Sequence, residues 1–330
     1  MTVESDVQAV ASQTRLGAAD RLQPVFLLAA IGIGLAIGRL APAAATIAAN
    51  AVSAGVFVLI ALVLLNVNPR NVAATFARKR FLAAAIMLNF AVNPVMAWVL
   101  GGMFLADEPD LRIGLILFLV TPCIGWYLIF TEIAGGDTEL GVGLLGVNVI
   151  LQILLLPVYL ALFVGAAGTV DIATILRSIA LYLVLPAVAA AAIRGWWAHQ
   201  GRSASVEQER LRLSACKTAT LAVVIVSMFA SQSDAIFDDL DAVGRLVAPM
   251  VSFFVLAYCI AVTAARRLGL PHDQTALLVF TTSSRNSEAS LAIAATAFVS
   301  PLVGLTVALG PVIELPLLVI MTRLLRRRAS

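Results

Sequence analysis

Three ionisable residues lie within apolar segments of the second half of the chain: Arg285, Glu288 and Glu314. A charged side chain is costly in hydrocarbon and is retained mainly in cavities, in pairs or at functional sites. Glu288 could bind a proton or a cation while Arg285 faces an anionic group, or the two could form a structural ion pair. Both descriptions can apply if the pair opens during function. Glu314 is a further candidate for proton or cation coupling.

The first half of the chain offers a thiol and two amides in apolar surroundings. Cys123 follows Pro122, where a helix is expected to break. A buried cysteine is usually an inert small apolar residue, but a thiolate is a soft ligand that could bind a soft trivalent metalloid. Asn148 and Gln152 share one helical face and could either join helices or line a cavity. No nucleotide-binding loop, metal-ligand cluster or nucleophile–base pattern occurs, so the sequence predicts neither an enzyme nor a cofactor.

The composition indicates the elements that must position these residues. Of the 330 residues, 61% are hydrophobic and only 12% are charged, whereas soluble domains carry about a quarter charged residues. The apolar residues form long blocks, such as 140–168 and 250–265, and a membrane helix needs roughly 20 of them. The alternation typical of spanning strands does not occur. The sequence therefore predicts an all-α membrane protein.

The apolar blocks predict ten transmembrane helices and their direction. The predicted spans are 25–43, 45–66, 81–105, 112–133, 139–166, 173–194, 212–231, 246–265, 274–299 and 302–322. Basic residues concentrate in both termini and in the loops after spans 2, 6 and 8, and the other loops are acidic. By the positive-inside rule, both termini are cytoplasmic. We expect a multi-pass protein of the cell membrane with a cytoplasmic tail over 1–23 and no nucleic-acid partner.

The ten spans divide into two halves of five, residues 24–167 and 168–330, with a cytoplasmic linker at about 195–211. Halves with an odd number of spans have opposite orientations, as in an inverted repeat. Matching spans 4 and 9 carry polar or helix-breaking stretches, at 121–125 and 281–288. We expect both spans to be broken and the substrate to bind where they meet. The alternative is a simple kink at 122 and a polar loop at 281–288.

Several short motifs resemble the arsenite efflux permeases of the bile acid:sodium symporter superfamily, and the resemblance runs from about residue 20 onward. These motifs are the run 112–117, Cys123-Ile124, Gly136-Asp137, Val147-Asn148 with Gln152, Phe280-Thr281 followed by Asn286 and Glu288, and Gly310-Pro311 with Glu314-Leu315-Pro316. The resemblance implies a panel and a core domain, crossed broken helices 4 and 9, and functional roles for Cys123 and Glu288. It also implies export of arsenite in exchange for protons.

Two positions depart from the pattern of these relatives. Arsenite permeases commonly carry two asparagines and an aromatic residue before the span-9 glutamate, whereas this chain has a cation, Arg285, followed by Asn286 and Ser287. Neutral arsenite does not require an arginine, but an organic anion would benefit from one. Sodium-coupled relatives place a serine and an asparagine where this chain has Tyr127 and Leu128, and Leu128 offers no side-chain oxygen. Sodium coupling is therefore disfavoured at this site.

The leading hypothesis from the sequence is proton-coupled efflux of arsenite, and of antimonite by extension. Cys123, Asn148, Asn286 and Arg285 are the candidate substrate-binding residues, and Glu288 and Glu314 are the candidate coupling residues. The proton-motive force would supply the energy without a cofactor, and the partners would be a small molecule and the lipid bilayer. The alternative is a permease for a small organic anion, sodium-coupled or sodium-independent. A membrane sensor or scaffold is disfavoured because the chain has no long loop or soluble domain.

Overall fold

The computed structural model describes residues 18–65, 75–123, 126–163, 180–199, 222–231, 240–298 and 300–329, together with isolated positions between 173 and 237. In this part of the chain the regular structure is helical. The helices are α1 (Ala18–Leu40), α2 (Pro42–Leu65), α3 (Lys79–Phe104), α4 (Pro109–Leu119), α5 (Trp126–Ile133), α6 (Thr138–Phe163), α7 (Leu185–His199), α8 (Ala222–Ser231), α9 (Leu240–Arg267), α10 (His272–Ser283), α11 (Ser287–Ala297) and α12 (Pro301–Ala329).

Four of the described helices are long and apolar enough to cross a membrane: α3, α6, α9 and most of α12. They have 26 or 28 residues, and at 1.5 Å per residue each exceeds the roughly 30 Å of bilayer hydrocarbon. Prolines lie inside α6, α9 and α12, which membrane helices tolerate when neighbouring groups satisfy the freed carbonyls. The prediction of an all-α membrane protein is confirmed at this level.

Two predicted spans are interrupted, at the places where the sequence predicts breaks. α4 ends at Leu119 and α5 begins at Trp126, while α10 ends at Ser283 and α11 begins at Ser287. α4 and α11 have 11 residues each, so each is about 17 Å long, near half of the hydrocarbon thickness. Two such half-helices placed end to end are needed to cross a bilayer.

The helices form two groups that face each other. α1, α2, α7 and α8 make one group, which we name the panel group. In it, α7 packs on α2, and α8 approaches α1 so closely that a Cβ on Gly34 would lie 2.6 Å from the Val226 carbonyl oxygen. The remaining helices, α3–α6 and α9–α12, make the core group, in which α12 packs along α4, α9 and α11.

Some predicted boundaries differ from the structure. α1 begins at Ala18, inside the predicted tail, because the segment 18–23 contains neither glycine nor proline to stop the helix. α7 continues to His199, past the predicted end at 194, since Trp196 and Trp197 prolong the apolar run. Residues 1–17, the boundary between the two predicted halves at 167–168 and the rest of the predicted linker lie outside the described residues.

Candidate functional site

The two broken spans cross and hydrogen-bond to each other at their breaks. Pro122 and Arg285 form an isolated antiparallel bridge. The Cys123 N–H donates to the Ser284 carbonyl oxygen at 3.1 Å, and the Asn286 N–H donates to the Thr121 carbonyl oxygen at 2.9 Å. Backbone groups freed by a broken helix need partners away from water. Each break therefore satisfies the other, and the crossing depends on both.

A pair of hydroxyls joins α4 to α11 beside the crossing. The Thr121 and Ser290 hydroxyl oxygens lie 2.6 Å apart. Thr121 Oγ1 also lies 2.9 Å from the Phe118 carbonyl oxygen, and Ser290 Oγ lies 3.3 Å from the Leu117 carbonyl oxygen, so one hydroxyl donates to the other and the second donates to its carbonyl. These contacts hold the last turn of α4 against the first turns of α11, so the half-helices of opposite spans are fixed to each other.

Arg285 caps the C-terminal ends of both N-terminal half-helices. Its Nη1 donates to the carbonyl oxygen of Leu119, the last residue of α4, at 2.9 Å. Its Nη2 donates to the carbonyl oxygens of Thr281, at 3.3 Å, and Thr282, both in the last turn of α10. Helix C-termini carry partial negative charge and unpaired carbonyls. One fully buried guanidinium thus neutralises two helix ends.

The remaining contacts of Arg285 complete its surroundings. Its guanidinium carbon lies 5.4 Å from the centre of the Phe253 ring on α9, a cation–π arrangement. Its backbone N–H donates to Glu314 Oε1 at 3.0 Å. The side chain is therefore directed at carbonyls and an aromatic face, and the backbone N–H of Arg285 meets the carboxylate. This is the arrangement of a helix-capping arginine, and the anion-binding role of Arg285 stays a prediction.

A network of amides surrounds the last turn of α10. Asn89 and Asn148 each donate from Nδ2 to Thr281 Oγ1, at 3.2 and 3.1 Å, and Asn93 Nδ2 donates to the Thr282 carbonyl oxygen at 2.9 Å. Asn148 is thus attached to the crossing from α6. Within the described residues, Asn148 Oδ1 has no hydrogen-bond partner.

Asn89 and Asn93 are site residues that sequence reasoning missed. Asn89 lies in a π-helical turn of α3, Leu88–Val92, and Asn93 directly follows it. The wider turn presents both amides to α10, and Asn89 Oδ1 also accepts from Arg285 Nη2 at 3.4 Å. The available signal was two asparagines four residues apart, on one face of an otherwise apolar span.

Cys123 and Asn286 occupy equivalent positions before the second half-helix of each span. Cys123 Sγ accepts a hydrogen bond from the Trp126 N–H at 3.1 Å, at the start of α5. Asn286 Oδ1 accepts from the Ala289 N–H at 3.0 Å and caps α11. Both side chains are almost completely buried. Two predicted site residues therefore lie at helix N-termini, where partial positive charge favours electron-rich groups.

A small cavity lies between the panel group and the core group at this point. Ile31, Ile225 and Met228 line it from α1 and α8. The core group contributes Trp126 and Ser287, the first residues of α5 and α11, together with Glu314 of α12. Its free volume of about 10 Å³ holds about one water molecule. The paired helix N-termini and one carboxylate therefore share a nearly closed pocket.

The structure brings most of the predicted site residues to one place. Cys123, Asn286, Arg285 and Glu314 meet at the crossing, and Asn148 reaches it through Thr281. Glu288 lies in the first turn of α11, but its side chain lies outside the described part of the structure, so the predicted Arg285–Glu288 pair stays a prediction.

Broken helices that cross inside an apolar bundle, with buried polar groups at the crossing, are typical of secondary transporters. Residues 53–239 match the profile of the sodium bile acid symporter family. Because the match covers more than half of the chain, the protein belongs to that family and is a multi-pass membrane transporter. This family is a family of membrane transporters and not a class of enzymes.

Over nearly its whole length the chain is also similar to the arsenical-resistance protein Acr3 of Corynebacterium glutamicum. The two are 26% identical over 336 residues, which cover 96% of this chain and 90% of the relative. This similarity, together with the family match, confirms the resemblance to arsenite permeases found in the sequence motifs.

Proposed function

We propose that the protein exports arsenite from the cell, and that Cys123 binds the arsenic atom during transport. The observation that carries the proposal is the place of the thiol, at the crossing of two broken helices beside the start of α5. Sulfur is a soft ligand suited to a soft metalloid. The name of the arsenical-resistance relative supports the same substrate class, and antimonite has comparable chemistry.

Unpaired polar groups near the thiol support a substrate that carries hydroxyls. Within the described residues, Asn286 Nδ2 and Ser284 Oγ are buried without a hydrogen-bond partner. A buried polar group without a partner costs about 1–3 kcal/mol. Arsenite, As(OH)₃, offers three hydroxyls that can donate and accept, so its binding would recover part of this cost. Asn148, with one free amide oxygen, is the third candidate.

Access to this site would alternate between the two sides of the membrane. A cavity of about 10 Å³ is too small for arsenite, so the panel and core groups must separate on one side to admit it. Alternating access by rocking of one group against another is common where repeats are inverted. The antiparallel bridge between the two breaks supports inverted repeats at 24–167 and 168–330. The distribution of basic residues supports a cytoplasmic position for both termini.

Proton coupling is assigned to Glu288 and Glu314. Glu314 lines the cavity and accepts from the Arg285 backbone, so protonation of this carboxylate would loosen a contact at the crossing. Sodium is not favoured. The Tyr127 hydroxyl donates to the Gly141 carbonyl oxygen, and neighbouring Leu128 offers no oxygen. The proton-motive force is therefore the proposed energy source.

A permease for a small organic anion is the second candidate. The N-termini of α5 and α11 face the cavity. A helix N-terminus can bind an anion even where no cationic side chain takes part. In this alternative the paired helix ends bind the carboxylate, and Arg285 keeps its capping role. Cys123 would then have no part in substrate binding, which makes the thiol the residue that separates the two functions.

The deciding experiment measures arsenite uptake into everted membrane vesicles with an imposed proton gradient. Wild type, Cys123→Ser, Glu288→Gln and Glu314→Gln are compared at equal expression. Cys259→Ser is the matched control, since that thiol is exposed on α9. We expect gradient-dependent uptake by wild type and the control, no uptake by Cys123→Ser, and only uptake that no longer responds to the gradient by Glu288→Gln and Glu314→Gln. Full uptake by Cys123→Ser, or none by wild type, would refute the proposal.

A further inference from the structure

A groove runs along the outer surface of the core group between α3 and α9. Its walls include Ala84, Met87 and Leu88 of α3 and Cys259 and Thr263 of α9. Met87 and Cys259 are exposed. The groove has a volume of about 490 Å³, within the roughly 300–1,000 Å³ of ligand sites. In a membrane this wall faces lipid, so an acyl chain fits its chemistry.

Basic residues surround one end of this groove. A second depression, lined by Arg78, Lys79 and Arg80, adjoins it at Leu268, and Arg267 lines the groove itself. All four basic side chains are exposed. Within the described part of the chain, none of them forms an ion pair. Four exposed basic side chains beside an apolar groove favour an amphiphile with an anionic head.

The backbone at this end adds to the attraction for an anion. α3 begins at Lys79, and the side chain of its N-cap residue, Arg78, makes no capping hydrogen bond. The N–H groups of a helix N-terminus and the positive end of the helix dipole favour a phosphate. Asp273, the carboxylate nearest to Arg267 in the sequence, does not line the depression. Its Oδ1 accepts a hydrogen bond from the Gln274 N–H.

The length of the groove fits one leaflet. From Cys259 to Arg267 there are eight residue steps along α9, about 12 Å of helix, close to half of the roughly 30 Å hydrocarbon. The basic end then lies at the depth of the headgroups and the apolar walls at the depth of the acyl chains. We propose that this groove binds an anionic phospholipid, with its phosphate at Arg78–Arg80 and Arg267.

A bound lipid would stabilise the crossing from the outer surface of the core group. α3 carries Asn89 and Asn93, which hold the last turn of α10, and the basic depression joins the start of α3 to the turn before α10. A lipid that ties these segments together stabilises the core group as a unit. This inference does not depend on the transported substrate.

The test uses purified full-length protein and native mass spectrometry with defined lipids. We expect phosphatidylglycerol or cardiolipin to bind at least tenfold more tightly than phosphatidylcholine, since each basic residue near a membrane surface contributes several-fold to affinity. Arg78→Gln/Arg80→Gln should weaken anionic binding roughly tenfold or more. The matched control, Arg323→Gln/Arg327→Gln, removes the same charge from the exposed end of α12 and should bind like wild type.

A third variant separates the groove from the charge. Thr263→Trp fills the exposed wall of α9 and leaves every basic residue in place, so it should weaken lipid binding without changing the charge. Inorganic phosphate at millimolar concentration should not displace the lipid. Equal binding of anionic and zwitterionic lipids, unchanged binding by Arg78→Gln/Arg80→Gln, or displacement by phosphate alone would each overturn the inference. Size-exclusion profiles show that the variants are folded.

Discussion

Replacing Arg285 with methionine removes the guanidinium that caps α4 and α10, and keeps a side chain of similar length. The carbonyl oxygens of Leu119 and Thr282 lose their donor. Each unpaired buried carbonyl costs about 1–3 kcal/mol, and the two helix dipoles lose their counter-charge, worth a further 0.3–1 kcal/mol or so each. Relief from burying a cation offsets part of this sum. We expect a net loss of about 2–4 kcal/mol.

The crossing itself offers an assay for this loss. Cys216 and Cys259 are exposed and Cys123 is buried, so in a Cys216→Ser/Cys259→Ser background only Cys123 remains to react with a maleimide. Arg285→Met should loosen the contact between Cys123 and Ser284. We expect faster labelling of Cys123 and a lower Tm in detergent, even without any substrate.

The matched control for this prediction is Arg245→Met. Arg245 pairs with Glu108 and Asp241 on the surface, and exposed ion pairs contribute about 0–1 kcal/mol. Its loss should leave the labelling rate of Cys123 unchanged. If Arg285→Met keeps the wild-type Tm and labelling rate but abolishes the binding of an organic anion, the capping role is refuted and the anion-binding role is supported.

Three further predictions concern the immediate neighbourhood. Asn286→Ala should lower the Tm, because it removes the α11 cap, which contributes about 1 kcal/mol. Asn286→Asp should keep the wild-type Tm, and a thermal-shift assay on both variants checks this. Gly310→Ala places a Cβ 2.5 Å from the Phe118 ring and should cost about 1–3 kcal/mol, and a double-mutant cycle with Phe118→Leu should show partial rescue. Gln152→Leu should raise the free energy of unfolding by about 1–3 kcal/mol, because within the described residues neither polar atom of the Gln152 amide has a hydrogen-bond partner. A loss of transport at equal expression would instead show that the amide serves the substrate.

The positions of both helix breaks could be predicted from the sequence because their causes are local. Pro122 removes a backbone donor and disfavours a helix at the preceding residue. The polar run 281–288 interrupts an apolar span with side chains that compete for backbone hydrogen bonds. The long apolar helices follow from composition in the same way. These features depend on residues within one or two turns of each other.

The direction of the Arg285 side chain could not be predicted, because it depends on contacts between distant segments. Leu119 O and Phe253 come within reach only when α4, α9 and α10 pack together. Sequence reasoning places a charge next to a predicted substrate site and so favours an anion as its partner. Backbone carbonyls, which every sequence contains, leave no signal that would identify them as the partner.

The two sides of the crossing carry opposite partial charges from helix ends, and this explains how a buried arginine can be accommodated at position 285. The N-termini of α5 and α11 face the cavity, at Trp126 and Ser287. The C-termini of α4 and α10 face the guanidinium of Arg285. The cavity side is therefore electropositive through helix ends alone, and the opposite side would be electronegative without a cation. Arg285, in place of an asparagine, neutralises the negative helix ends on that second side. It leaves the cavity free for a neutral or anionic acid.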